Sequence, residues 1–215
     1  MAEERVAAFP LGTVLLPGQF LEVQVFEPRY RVMLFDLRDS DPQEFLVTLI
    51  ERGSEVGGGD VRTEVGCMAE VVRTRELGDG RVLLGAVGTV AARVLEWLPE
   101  DPYPLAVVSR REPADPRVLP AAAHDLRDTA VERAGAVISL AVRMGQQPPD
   151  RHPAWDPDPE TATWQAALAT PLGTLDRHRL LAEGEPVARL RLLNELLAET
   201  HSMLEALAGR DGAGE

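Results

Sequence analysis

Apolar and polar residues alternate with a period of two over residues 20–26, which is typical of a strand with one buried face. The apolar side of this stretch consists of Leu21, Val23 and Val25. The other side carries Phe20, Glu22, Gln24 and Phe26. The pattern therefore predicts a strand with the apolar set facing the core.

Several other short stretches in the first 110 residues also have the pattern of strands. A short apolar strand is expected within residues 9–18, where a Pro-Gly pair closes it. The other predicted strands span residues 45–50, 67–75, 81–84, 87–95 and 103–109. Asp79 and Gly80 signal a hairpin, because both turn residues must tolerate a positive φ, and Gly85 and Gly88 permit a bulge or bend. Six or seven strands at this spacing favour a small closed barrel over an open sheet.

Helical spacing of apolar residues marks five further segments, the first of which begins at Glu27 and Pro28. The predicted helices span residues 28–37, 121–143, 161–170, 171–182 and 186–207. The apolar stripe of the last helix consists of Val187, Leu190, Leu193, Leu197, Leu204 and Leu207. Its polar face is expected to hold Arg189, Glu195, Glu199 and Glu205.

The chain accordingly divides into a strand-rich part and a helical part. We expect an α+β fold, with a small β-barrel over residues 1–112, a helical bundle over 113–208 and a disordered tail over 209–215. A cleft is expected where the barrel meets the bundle. Three glycines at 57–59 predict a flexible loop, and five prolines in residues 146–160 predict another, whose carboxylates at 156–160 we expect to be solvated.

Charge narrows the classes of partner. The net charge of −13 opposes binding to nucleic acid and to anionic membranes, because both depend on clustered Lys and Arg. All 22 basic residues are arginine, so the chain holds no Walker A lysine, Ser-Lys dyad or Schiff-base lysine. The acidic N-terminus lacks the pattern of a secretion signal, and no apolar run has the length of a membrane span. We therefore expect a cytoplasmic protein.

The residue types that carry catalysis are scattered. Cys67 follows a glycine in a predicted strand, and the pattern favours a small buried hydrophobe over a nucleophile. None of the five serines lies in G-x-S-x-G, and the four histidines form no H-x-x-x-H pair. The expectation is a non-enzyme with no metal and no cofactor.

Segments from both parts of the chain resemble one known family, the N-terminal substrate-binding domain of Lon proteases. The opening of that domain is similar to residues 9–11 (FPL), 14–18 (VLLPG) and 25–31 (VFEPRYR). Its later strands resemble residues 66–71 (GCMAEV), 77–81 (LGDGR), 92–95 (ARVL) and 102–106 (PYPLA). Its C-terminal helices resemble the leucine pairs at 180–181 and 196–197. The resemblance covers about residues 6–208.

This resemblance implies a PUA-like barrel followed by a helical bundle, in a stand-alone member without the ATPase and protease domains. It implies a non-catalytic protein that binds unfolded or tagged polypeptides as an adaptor, regulator or holdase. Two alternatives stay open: a PUA-like module for a small ligand or RNA, and an accessory factor of an ATP-dependent protease. The expected partners are polypeptides or a partner protein, and the oligomeric state is left open.

The candidate peptide-binding residues are Phe26, Glu27, Arg29 and Tyr30. Each also has a structural interpretation, which we weigh more heavily. Glu27 is placed to cap the helix that follows it, where a carboxylate is favoured. Arg29 is able to fork onto carbonyls or a carboxylate, and Phe26 and Tyr30 are expected in the core.

Overall fold

The computed structural model describes residues 3–53, 59–147 and 154–211. This part of the chain contains six strands and five α-helices, joined by loops and short turns. The chain divides into two units, Met1–Glu112 (unit 1) and Pro113–Glu215 (unit 2). The strands and the first helix belong to unit 1, and the other four helices belong to unit 2.

Unit 1 is a six-stranded sheet with one helix inserted after its second strand. Its elements are β1 (Glu3–Leu11), β2 (Phe20–Val25), α1 (Pro28–Asp36), β3 (Glu44–Arg52), β4 (Val61–Glu76), β5 (Val82–Leu98) and β6 (Leu105–Arg110). The hydrogen-bonded order is β2–β5–β4–β3–β1–β6, and β6 also pairs with β5. The five strands from β5 through β4, β3, β1 and β6 therefore form a ring of pairings, to which β2 is added along β5.

Every strand of that ring contributes to one apolar cluster. Its buried members are Ala8, Leu46, Met68, Ala92, Val94, Ala106 and Val108. β1 pairs in parallel with β3, and the other pairings are antiparallel. Since successive side chains of a strand point to opposite faces, each strand delivers alternate residues to this cluster.

The strand predicted over residues 20–26 is confirmed as β2. Leu21 and Val25 are buried and Val23 is half-buried, as the alternation requires. The two strands predicted over 81–84 and 87–95 are wrong in one respect, because they form the single strand β5. The register between β4 and β5 shifts beside Gly88 and again beside Gly85. The expected bulges are therefore present, and the strand continues through them without a break.

The apolar run at residues 14–16 is buried but is not a strand. β1 ends at Leu11, and the residues that follow form a loop whose turn contains Gly18 at φ 78°. The backbone N–H of Leu16 donates to the side-chain oxygen of Gln19 at 3.0 Å. A local side-chain acceptor thus replaces a strand partner, and the loop is able to lie in the core.

Unit 2 consists of α2 (Ala121–Arg143), α3 (Pro159–Ala169), α4 (Thr174–Ala182) and α5 (Pro186–Asp211). The prediction for residues 121–143 is confirmed at both ends. Among the described residues, no helix is long and apolar enough to cross a membrane. The expected tail begins too early, because residues 209–211 continue α5, while 212–215 lie outside the described residues. Also outside are residues 57–58 of the glycine loop and 148–153 of the proline-rich segment.

Two expectations about charged residues of unit 2 are wrong. Arg189, assigned to the polar face of the last helix, is 1% exposed, and its Nη1 lies 3.0 Å from a carboxylate oxygen of Glu160. Glu160 also accepts a hydrogen bond from the backbone N–H of Ala114 at 2.8 Å. Asp158 caps α3 by accepting from the N–H of Thr161 at 2.9 Å. The acidic segment at 156–160 therefore anchors helices and is not simply a solvated loop. Leu207, placed in the apolar stripe, is exposed.

Cys67 is fully buried on β4, which confirms the interpretation as a small hydrophobe. Burial raises the pKa of its thiol to about 12, so the thiolate is scarce at neutral pH. We expect the native protein to resist a thiol reagent such as Ellman's reagent and to react with one equivalent in about 6 M guanidinium chloride, a usual unfolding concentration. Rapid stoichiometric labelling of the native protein would contradict this. A confirmed result makes Cys67, the single cysteine of the chain, a specific reporter of the unfolding of unit 1.

Candidate functional site

In unit 1, β2 and the end of β1 line one common cavity without pairing with each other. β5 pairs with β4 along one edge, and along its other edge it pairs first with β2 and then with β6. The pairing of β6 with β1 ends at Ala7, next to a bond from the N–H of Ala8 to the carbonyl of Pro104 at 2.9 Å. Beyond that point β1 continues as Phe9, Pro10 and Leu11 with only β3 beside it. We call these three residues and the outer edge of β2 the open corner.

A cavity of about 230 Å³ lies in the open corner. It is lined from β1 by Phe9, Pro10 and Leu11, from β2 by Val23 and Gln24, and from the start of α1 by Phe26, Glu27 and Tyr30. Most of these side chains are apolar, and the volume is suited to one or two side chains of a ligand and not to a large cofactor.

Hydrogen bonding assigns the backbone groups on the two edges of β2. The N–H of Gly88 on β5 donates to the carbonyl of Gln19 at 2.9 Å, so Gln19 and alternate residues after it turn toward β5. The residues between them turn their N–H and C=O groups to the outer edge of β2: Phe20, Glu22 and Gln24. Among the described residues, no other strand pairs with that edge.

The structure brings three of the four predicted site residues to this cavity. Phe26, Glu27 and Tyr30 line it, whereas Arg29 does not. The expectation that Phe26 belongs to the core is wrong, since 54% of the residue is exposed. Tyr30 is buried as expected, and its ring packs edge-on against Phe9 with the centroids 4.4 Å apart. Burial raises the pKa of the Tyr30 hydroxyl to about 12, so the group stays neutral.

Glu27 occupies the N-cap position of α1, but its side chain makes no capping hydrogen bond. Instead, its carboxylate accepts a bond from Nε of Arg29 at 3.2 Å. Arg29 also lies 3.6 Å from a carboxylate oxygen of Glu100 and 4.5 Å over the ring of Tyr30. Arg29 thus pairs with carboxylates, as allowed for, through one contact to each of two and not through a fork onto one. The expected side-chain cap by Glu27 is wrong.

An ionic chain continues from these residues to the start of β4. Glu100 also pairs with Arg62, which pairs with Asp60 and stacks 4.9 Å over Trp97. Burial raises the pKa of the Asp60 carboxyl, but the hydrogen bond from Arg62, a backbone hydrogen bond and the positive charges of Arg62 and Arg29 together outweigh it and hold the pKa below its ordinary value. This network fixes the first turn of α1 against β4 and β5, and so holds one wall of the cavity in place.

The sequence pattern missed the residues that β1 contributes to the open corner. A proline within a strand is tolerated where its missing N–H would face no partner, so Pro10 was the available signal for an unpaired edge. Gln24 was assigned to a strand without any role. Among residues 3–53, 59–147 and 154–211, no three His, Cys, Asp or Glu side chains are grouped to hold a metal ion.

Comparisons with known proteins agree on one family. The model of the ATP-dependent protease La (LON) substrate-binding domain matches residues 5–199. The Lon protease of Heliobacterium modesticaldum is 25% identical over 198 residues, which are 90% of this chain and 24% of that protein. The Lon protease of Trichlorobacter lovleyi is 29% identical over 172 residues, which are 78% of this chain and 20% of that protein. The chain thus spans about a quarter or less of the curated relatives it matches.

Solved structures show the same fold. The crystal structure of the Lon N-terminal domain protein from Xanthomonas campestris has a TM-score of 0.64 and 26% identity, covering 88% of this chain and 96% of that one. The N-terminal domain of the Mycobacterium avium complex Lon protease also has a TM-score of 0.64, covering 91% of this chain and 98% of that one, and at 16% identity it shows the fold alone. These similarities confirm the expected α+β class.

Proposed function

Because the chain belongs to the family of Lon substrate-binding domains, we propose that it binds unfolded or tagged polypeptides at the open corner of unit 1. In this role it acts as an adaptor, regulator or holdase, including as an accessory factor of an ATP-dependent protease. The matched family model describes a substrate-binding part, which agrees with a function in recognition. The ring of strand pairings supports the closed, PUA-like barrel that carries the site.

The observation that carries this proposal is the unpaired outer edge of β2 beside an apolar cavity. An extended polypeptide is able to add to such an edge as a further strand, with its backbone bonded to the N–H and C=O groups of Phe20, Glu22 and Gln24. Backbone bonds are independent of sequence. They therefore suit a protein that takes many unfolded chains and leaves folded ones, whose strands are already paired.

The cavity supplies the second part of the contact. Side chains of an added strand alternate between two faces, so every second one is directed to the same side. Phe26, more than half exposed, and the row of Phe9, Pro10 and Leu11 offer apolar surface to such a side chain. Burial of apolar surface there contributes affinity, while the fixed first turn of α1 keeps the wall from collapsing.

The test is a titration of fluorescent, reduced and carboxymethylated lysozyme with this protein, followed by anisotropy, beside labelled native lysozyme. We expect the unfolded probe to bind and the native one not to bind. Phe26→Ala is expected to weaken binding about tenfold, the effect of losing one aromatic contact of about 1.4 kcal/mol. Gln24→Pro removes an outward N–H without removing a bond to β5, and a similar loss is expected.

Leu175→Ala is the matched control, because Leu175 is an exposed apolar residue of unit 2. Protection of the Cys67 thiol shows that unit 1, which carries the proposed site, is folded in each variant. Equal binding of native and unfolded lysozyme, or no binding of either, would reject capture of unfolded chains. Unchanged affinity in both Phe26→Ala and Gln24→Pro would place the binding site away from the open corner.

A further inference from the structure

A second groove in unit 1 runs beside α1. Its volume is about 410 Å³, and we call it the α1 groove. The lining residues that matter here are Arg31, Val32 and Phe35 from α1, Arg38 from the turn that follows α1, Val71 from β4 and Val82 from β5. The other candidate site, the open corner, is lined near the start of α1 by Phe26, Glu27 and Tyr30. The two sites share none of the lining residues.

The floor of the α1 groove is apolar and accessible. Phe35 is 64% exposed and Val32 is 41% exposed, while Leu34 between them in the chain is buried. Val71 and Val82 are half-buried across from them. Exposed aromatic and branched side chains on opposite walls of one groove offer a place for bulky apolar side chains of a ligand.

Two guanidinium groups stand at the ends of this floor. Arg38 lies 3.6 Å from Glu76, but both side chains are more than half exposed, and such pairs exchange readily for another carboxylate. Arg31 has no carboxylate within ion-pair distance among the described residues. Most other arginines of unit 1 do have one: Arg29, Arg38, Arg62, Arg73, Arg81, Arg93 and Arg110. The groove therefore carries excess positive charge in a chain of net charge −13.

The two arginines flank the apolar floor. Arg31 lies on α1, and Arg38 lies on the 3-10 turn that follows it, Leu37–Asp39, with Val32 and Phe35 between them in the chain. Alternate side chains of an extended chain share one face. In the pattern acidic–apolar–apolar–acidic, each face of an extended segment therefore carries one carboxylate and one apolar side chain, which matches an arginine beside the apolar floor.

We infer that the α1 groove binds extended polypeptide segments of the pattern acidic–apolar–apolar–acidic. The inference rests on the proposed function, because it names which segments of an unfolded chain unit 1 selects. Backbone pairing at the open corner is indifferent to sequence. The α1 groove adds a preference by charge, so that basic unfolded segments are held less tightly than acidic ones.

The test uses two labelled peptides, Gly-Ser-Asp-Phe-Leu-Asp-Ser-Gly and the same sequence with both Asp replaced by Lys. We expect the acidic peptide to bind about tenfold more tightly at low salt, because the change from Asp to Lys turns an attraction at the rim, worth up to about 1 kcal/mol, into a repulsion of similar size. The difference should shrink toward none at about 1 M salt, where the Debye length is only about 3 Å.

Arg31→Glu and Arg75→Glu form a matched pair of variants. Arg75 lies between two groove residues, Thr74 and Glu76, on β4, but it does not line the groove, since alternate side chains of a strand point to opposite faces. Both changes alter the net charge equally. Arg31→Glu is expected to abolish the preference for the acidic peptide, and Arg75→Glu is expected to keep it. Phe35→Ala, at an exposed position, should weaken binding of both peptides.

Equal affinity for the two peptides, or an equal effect of Arg31→Glu and Arg75→Glu, would overturn the inference, because the preference would then be absent or would follow net charge alone. Failure of both peptides to bind would overturn it as well. In each of these cases, continued binding of unfolded lysozyme would leave the proposed function standing. Loss of that binding in the unaltered protein rejects the proposed function separately.

Discussion

Gly88→Ala is expected to lower the free energy of unfolding of unit 1 by about 3 kcal/mol or more, toward the upper end of the usual cost of overpacking. A Cβ atom on Gly88 would lie 2.3 Å from the carbonyl oxygen of Leu16 and 3.2 Å from Sγ of Cys67. The nearest of these atoms belongs to the backbone, which is unable to rotate away as a side chain does. Relief requires the buried loop before β2 to move off β5, which also disturbs the edge where we propose that polypeptides bind.

Gly78→Ala is the control for this change, because a Cβ atom there has no neighbour within 4 Å. Unfolding in urea, with labelling of Cys67 as the specific signal from unit 1, gives the midpoint for each variant. The prediction fails when the two substitutions shift the midpoint by the same amount. The comparison separates the close approach at Gly88 from the general effect of adding a methyl group to a strand or turn.

Gly88 also shows which part of the fold is readable from local sequence. Its presence in an apolar stretch predicted a bulge or bend, and the register shift beside it bears this out. The cause, however, is the carbonyl of Leu16, which a distant segment brings against it. For the same reason residues 14–16 have the composition of a strand but form a buried loop. The local pattern predicts that a segment is buried. Only long-range packing decides which partners accept and donate the hydrogen bonds of its backbone N–H and C=O groups.

The exposure of Phe26 was indicated by the alternating pattern of its strand, but we gave more weight to its aromatic character. The alternation over residues 20–26 placed it with Phe20, Glu22 and Gln24, on the side away from the core, and there it is found. Its aromatic character suggested burial instead. β2 pairs with a neighbour on one edge only, so residues at its end have fewer neighbours than those of a strand inside the ring, and Phe26 stays exposed. Which strand lacks a neighbour depends on the pairing of all six strands, and alternation within one strand does not contain this information.

The prediction put Arg189 on the polar face of α5 because the buried face of this helix is wider than the predicted apolar stripe. Besides the predicted stripe, the helix buries Leu196 and Thr200, which lie one and two helical turns from Leu193 on the side of Arg189. Arg189, at the first turn of this added face, stacks its guanidinium 4.9 Å over the ring of Trp164. An arginine is buried in this way only when a carboxylate and carbonyls accept its hydrogens, and these come from Glu160 and from the carbonyl of Glu183 at 3.1 Å.

We expect Arg189→Ala to destabilise unit 2 by about 3–5 kcal/mol, the usual cost of removing one partner of a buried ion pair. The change leaves the carboxylate of Glu160, only 15% exposed, without its cation, and it opens a space beside Trp164. Arg191→Ala is the control, since Arg191 is exposed on the same helix. Urea unfolding followed by tryptophan fluorescence measures the difference, and equal stability of the two variants would show that the pair contributes little.

A double variant separates the charge from the volume. Nη2 of Arg189 is buried without a hydrogen-bond partner, so the native pair already carries an uncompensated desolvation cost. Arg189→Met fills most of the space but still leaves Glu160 unpaired, and Arg189→Met with Glu160→Gln removes both charges. We therefore expect the double variant to recover most of the stability that Arg189→Met loses, because the penalty arises from an isolated charge and not from the absence of the pair. Equal losses in the single and double variants would assign the effect to the hydrogen bond that Nε of Arg189 donates to the Glu183 carbonyl.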